Sequence, residues 1–348
     1  MKKFTISFFI ALLVIGFSAS ATVHTVSNNQ NSPGQFTSLQ AAIDAASPGD
    51  TIYVSGSPTS YGSIDLNKQL TLIGAGYHPN NQFQFKTQVN YIYLKIFTGA
   101  PTTNPSGSKI MGFEVTNTIY CWENNINNVT VQLNKANSIN LYGKTCDGWI
   151  IKNNIVQSIE GSTVNSTNIL IYNNIITYYI RYFTNASVLI ANNIFSRNSA
   201  ATNIFSYVQY ATVANNIVYG MSTAGCNYCT FNNNISYGGN QTTFEYDNNT
   251  GQNNLEGVTP QFVSAASYDF SFDNDYHLAA GSPGIGAGTD GTDIGIYGGI
   301  YAFPSGGEVP YQTSPVPPIP QVVNMNILNS VLPEGGTLQV EVEGKSQL

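Results

Sequence analysis

The stretch that decides the fold runs from Trp149 to Tyr237, where one phrase returns five times. It reads WIIKNNIV at 149–156, ILIYNNII at 169–176, VLIANNIF at 188–195, TVANNIVY at 212–219 and TFNNNISY at 230–237. The last asparagine of each cluster falls at Asn154, Asn174, Asn193, Asn216 and Asn234, with spacings of 20, 19, 23 and 18. Fainter copies extend the series by one coil each way, to Asn134 after VTVQL and to Asn254 in GQNNL. Alternating apolar residues before each cluster predict a strand with one face inward, and the short apolar run after it predicts a second. The connection must bend sharply, and asparagine enters the left-handed region more readily than other residues bearing a side chain. Coils stacked at a strand spacing of ~4.8 Å would bring equivalent amides within hydrogen-bonding reach. A helical solenoid needs a period of about 33 or more, and a leucine-rich repeat needs its leucine consensus. Neither is present. The expected fold is all-β: a right-handed parallel β-helix solenoid.

The flanks fit a solenoid with distinct ends. FTSLQAAIDAASPGDTIYVSG at 36–56 reads as a short amphipathic helix, a Pro-Gly turn and a strand, and such a helix can cap the open apolar end of a coil stack. IDLNKQLTLIGAG and GSKIMGFEV read as early coils, and DYHLAAGSPGIGAGTDGTDIGIYGG at 275–299 as the segment that closes the stack. Residues 1–21, with Lys2 and Lys3, an apolar run and Ala19-Ser20-Ala21, have the pattern of a cleaved export signal. The expected organisation is therefore a signal at 1–21, a capped β-helix at 22–303, a Pro-rich linker at 304–320 and a short hairpin or partial module at 321–348.

Composition narrows the function classes. Only 9% of residues are charged, against about a quarter in ordinary domains. Removing Lys2 and Lys3 leaves 10 basic residues against 19 acidic ones, a formal charge of −9. That argues against nucleic acid and anionic membranes as partners, since both require a basic footprint. No segment after the signal is apolar over the ~18 residues a spanning helix needs. The expectation is a monomer, secreted or at the cell surface, whose tail contacts a surface partner.

The capping segment AAIDAASPGDTIYV, the later LTLIGAG, the asparagine ladder and the closing HLAAGSPGIGAGTDGTDIG resemble exported bacterial proteins of the pectate-lyase-like β-helix superfamily. The resemblance spans roughly residues 35–300. It implies a fold but leaves the chemistry open, because members include pectate and alginate lyases, polygalacturonases and proteins of no known activity. It also implies that substrate lies along the sheet preceding each ladder strand. Aligning those segments sets Ile119, Ile139, Ile159, Ile180 and Ile204 level and facing inward. Tyr120, Asn140, Glu160, Arg181 and Phe205 then face outward, as do Trp122, Tyr142, Ser162, Phe183 and Tyr207 two residues further on.

The expected substrate-binding residues are accordingly Tyr120, Trp122, Tyr142, Phe183, Phe205 and Tyr207, flat apolar faces suited to sugar rings. Glu160, Arg181 and Lys144 are the candidates for chemistry. The patterns of the related enzymes are otherwise missing: there is no Asp-Asp pair, no Gly-His-Gly and no Arg-x-Pro-x-x-Arg. The leading expectation is a protein that engages an extracellular polysaccharide on this aromatic face. Whether it also cleaves stays open, with a lyase favoured over a glycosidase. The alternative is a non-catalytic adhesive or structural spacer. No cofactor is expected; Asp269, Asp273 and Asp275 are close enough in sequence for a loop Ca²⁺ site but match no EF-hand spacing. His24, His78 and His277 read as structural. In this register Cys121 is level with Leu141, so Cys146, five residues on, is expected ~16 Å away and unable to form a disulfide with it.

Overall fold

The computed structural model describes residues 21–303, apart from 31, 78–84, 142, 163–165 and 185–186, and residues 321–345, apart from 330 and 332. The export signal and the Pro-rich linker lie outside the described residues, as do His78 and Tyr142.

The chain winds as a parallel β-helix whose coils contribute to two long sheets of 11 and 12 strands. The first sheet runs from Val23–Val26 to Thr250–Gln252, and the second from Ile64–Leu66 to Leu255–Glu256. Register follows the repeat: Ile151 pairs with Val131 and Ile171, and Ile159 with Ile139 and Ile180. Between the sheets lies a fully buried core that includes Val131, Ile151, Ile171, Ile190, Val213 and Phe231 from one side and Ile119, Ile139, Ile159 and Ile180 from the other. Burying each such side chain stabilises the coil by ~1.5–3 kcal/mol. At the N-terminal end, Leu39–Ala45 forms the expected helix, with Ser38 accepting from the Ala41 amide at its start. Its Leu39, Ala42 and Ile43 are buried in the core. The helix covers the end of the stack.

The two asparagines of each pair do different work. The first takes the left-handed conformation, with φ of 54° at Asn153, 50° at Asn173, 56° at Asn192, 58° at Asn215 and 53° at Asn233. The second points into the coil and builds the ladder. Its amide nitrogen donates to the side-chain oxygen of the next coil's asparagine: 3.0 Å for Asn154 to Asn174, 2.9 Å for Asn174 to Asn193, 3.0 Å for Asn193 to Asn216 and 3.0 Å for Asn216 to Asn234. Asn134 and Asn254 extend the file at its two ends. The register expected of the repeat is the register found.

Three expectations need correction. After Asn154 and Asn174 the short apolar run and the isoleucine row are not separate strands: Ile155–Glu160 and Ile175–Arg181 are each continuous, with a register shift after Val156, whereas after Asn193 Ile194–Ser196 and Phe205–Ser206 stay separate. Second, residues 284–303 do not plug the end of the stack. They run back along its side, where the outward amides of Asn233, Asn215, Asn192, Asn173 and Asn153 bond in turn to Ala287, Thr289, Gly295, Ile296 and Tyr301. Beneath this strap Ile155, Ile175, Ile194, Ile217 and Ile235 form an outward apolar stripe that packs with Ile294, Ile296 and Phe303 in a second core. Third, the sulfurs of Cys121 and Cys146 are 2.7 Å apart. The distance estimate assumed a straight path beyond Leu141, whereas both chains turn a corner there and the side chains meet inside.

In the tail, Gln321–Ile327 and Val340–Lys345 pair antiparallel, as the sequence led us to expect. No helix among the described residues is long and apolar enough to cross a membrane.

Candidate functional site

Strand alternation in the second sheet sets one outward row across successive coils. It runs Asp65, Tyr93, Tyr120, Asn140, Glu160, Arg181 and Ser206. At its N-terminal end the row is aromatic. Tyr91 and Tyr93 stack with ring centres 5.3 Å apart, and Trp122 stands edge-on to Tyr93 at 5.4 Å and tilted against Tyr120 at 5.3 Å. Lys95, paired with Asp65 at 2.8 Å, holds its ammonium 4.9 Å from the centre of the Tyr93 ring. Trp122 is 47% exposed, so the indole offers an open face.

The middle of the row is polar and tightly tied. Glu160 is buried and receives Arg181 at 2.9 Å, the Asn140 amide at 3.0 Å and the Ser158 hydroxyl at 3.4 Å. The Arg181 guanidinium lies against the Tyr179 and Tyr182 rings, at 4.8 and 4.9 Å. Burial works to lower the Arg181 pKa, but the hydrogen bond and charge of Glu160 outweigh it and hold it above the ordinary value. Arg181 is therefore a fixed cation, and both Glu160 oxygens have partners. Lys144 stands on the turn after Lys135–Asn140, half-buried, with its backbone amide bonded to Leu141.

Beyond Arg181 the surface opens into a cleft of about 690 Å³ lined by Tyr178, Tyr179, Ser206, Tyr207, Gln209 and Asp247, among others. Tyr207 is 69% exposed and stacks on Tyr182 at 5.7 Å. Both tyrosines have positive φ, 54° and 63°, an uncommon backbone state for a bulky side chain.

The structure thus brings Tyr120, Trp122, Glu160 and Arg181 onto one face and places Tyr207 at its far end. Two expected members turn inward. Phe205 pairs with Ile180, where Ile204 was expected, and is buried. The longer coil after Asn193 moves the pairing by one residue, so Phe205 takes the inward position level with Ile180 while Ile204 stays buried beside it. Phe183 is buried as well, because the left-handed residue Tyr182 breaks the strand alternation before it. Ser162 is also buried. Tyr91, Tyr93 and Lys95 were missed, although YIYLK at 91–95 carries a visible alternation of its own.

Next to the row on the same sheet lies a second ionic group that sequence reading missed. Glu114 bonds to Lys135 at 2.9 Å and to Lys86 at 3.2 Å. Burial pushes the Glu114 pKa up, but the two ammonium groups outweigh it and hold the carboxyl below its usual range. A carboxyl with a depressed folded-state pKa contributes stability above its unfolded value, and that contribution is lost as pH falls through the folded value. Between about pH 5 and pH 3 the wild type is expected to lose thermal stability more steeply than Glu114→Gln. Parallel melting curves for the two proteins over that range would contradict this.

Among the described residues no three His, Cys, Asp or Glu side chains gather as metal ligands. Asp269 accepts from the Asn198 amide, Asp273 from Ser271, and Asp275 pairs with His277 at 2.7 Å. His24 pairs with Asp50.

No family model matches the chain, and no curated protein matches it. Among solved structures the chain is similar to a pectate lyase, Pel9A, with a TM-score of 0.41 and 15% identity over 79% of this chain and 96% of that one. The β-helix is read from the strand pairing described above.

Proposed function

We propose that this protein is exported and binds an extended polysaccharide along the outward row of the second sheet. The observation that carries the reading is the row itself: an aromatic platform of half-buried Tyr93 and Tyr120 with exposed Trp122, a polar centre at Asn140, Glu160 and Arg181, and an open cleft beside Tyr207. Sugar rings present flat C–H faces to aromatic side chains and hydroxyls to amide and charged groups. A ring covering ~100 Å² of apolar surface at ~25 cal/mol per Å² gains about 2.5 kcal/mol, and several such contacts along a rod add up.

The polar centre favours binding over cleavage. Removing a proton next to a uronate needs a base, and the central carboxylate, Glu160, is already engaged by Arg181, Asn140 and Ser158, which leave it at most one open lone-pair position. A glycan bearing carboxylates would compete with Glu160 for the Arg181 guanidinium, a charge-assisted contact that a neutral glycan lacks. Should cleavage occur, the lyase class fits this arrangement better than a hydrolase, which requires two acids flanking the bond.

The test is a panel of acidic and neutral polysaccharides, read by binding, by the ultraviolet absorbance of an unsaturated uronate and by new reducing ends. At least one glycan should bind. The double variant Tyr93→Ala/Trp122→Ala should bind it about 10- to 100-fold more weakly, the loss of one or two stacking contacts, with its melting temperature nearly unchanged. If no glycan binds, the spacer reading takes over. The tail hairpin supports that alternative, since it leaves Met325, Ile327, Val340 and Val342 exposed at paired positions.

A further inference from the structure

We propose that Cys121 and Cys146 are joined as a disulfide linking two successive coils. This inference does not depend on glycan binding. The two sulfurs lie 2.7 Å apart, both buried, well inside the separation at which thiol sulfurs rest when unbonded. Both thiols also point at the same acceptor, the Glu123 carbonyl, at 3.3 and 4.0 Å.

Hydrogen bonds hold the backbone on each side, and closing the bond brings the two sulfurs together from 2.7 Å to about 2.05 Å. The amide of Trp122, the residue after Cys121, donates to Leu94 at 2.9 Å. The Cys146 amide donates to the Ser166 hydroxyl at 2.9 Å. Asn125 bonds to Thr145 at 2.8 Å and stacks the two turns in register. Because Cys121 directly precedes Trp122, the cross-link would pin the corner from which the exposed indole projects.

Formation proceeds by thiol–disulfide exchange with an external disulfide such as oxidised glutathione. One cysteine thiolate attacks the external disulfide and displaces one glutathione thiolate, leaving a mixed disulfide. The second cysteine, deprotonated, attacks the protein sulfur of that bond and displaces the other glutathione thiolate. The two protein thiols lose two protons and two electrons, and the oxidant leaves as two thiols.

The experiment uses the full chain. One sample is reduced, unfolded and refolded in a glutathione redox buffer; a second is purified under oxidising conditions without unfolding. Both are alkylated in denaturant, digested without reduction and mapped by mass. The expected result is one peptide pair joined through Cys121 and Cys146, lighter by two hydrogens than its separate halves, lost on reduction, with no alkylation at either residue. The bond in either sample supports the proposal. Alkylation of both cysteines in both samples would overturn it, as would pairing of either one with Cys226 or Cys229.

Discussion

Replacing Phe183 by alanine is expected to destabilise the protein by about 3–5 kcal/mol, the usual cost of deleting a buried phenyl group. The ring is 2% exposed and belongs to the inner core. It packs against Gly161 on the coil below, so closely that a Cβ there would clash with it. Truncation leaves a cavity that the β-helix cannot close, because each coil is held at a fixed spacing by strand hydrogen bonds. Trp122→Ala, by contrast, removes a half-exposed side chain and should change stability by less than about 1 kcal/mol. Denaturant unfolding of the two variants beside the wild type measures both. Equal effects would mean that Phe183 and Trp122 share an environment.

The second large effect is expected at Asn174, in the middle of the ladder. Its side-chain oxygen accepts from both the backbone amide and the side chain of Asn154, each at 3.0 Å. Its own amide donates to Ile151 and to Asn193, each at 2.9 Å. Asn174→Leu keeps the volume roughly constant but strands donors of Asn154 and acceptors of Ile151 and Asn193 away from water. At about 1–3 kcal/mol for each group left unsatisfied, with partial relaxation, the loss should be about 2–4 kcal/mol. Asn137→Leu, at an exposed position outside the ladder, serves as the control. A melting temperature for Asn174→Leu matching that control would show that the ladder does not hold the turns.

These two sites show what could be read from the sequence and what could not. The ladder was legible because each asparagine repeats at one coil's spacing, and the period carries the register from Asn134 to Asn254. The outward row from Tyr120 to Arg181 followed from the same register, since its coils differ in length by no more than a residue. Phe183 and Phe205 fell on the wrong side because their facing depends on Tyr182 entering the left-handed region, which leaves no local mark, and on a coil of 23 residues, whose length the sequence shows but not where in the coil the extra residues fall. Tyr93 belongs to a coil that precedes the ladder, where no asparagine sets the count. The ion pairs of Glu114 join residues 21 and 28 positions apart, a proximity that exists only after winding. The strap over Ile155, Ile175 and Ile194 was misplaced for a related reason. Its isoleucines alternate as any strand might, and only the outward apolar stripe on the solenoid says where they must lie.

The most direct test of glycan binding on this row uses the chain's own tryptophans. There are two: Trp149 is fully buried, and Trp122 is 47% exposed on the aromatic platform. Acrylamide should therefore quench one population readily and the other poorly. Saturation with a polysaccharide shown to bind by calorimetry should remove the readily quenched population, leaving emission that resembles that of Trp122→Phe. If the polysaccharide binds and the accessible population is quenched as before, the glycan lies elsewhere on the protein and the row is not its site.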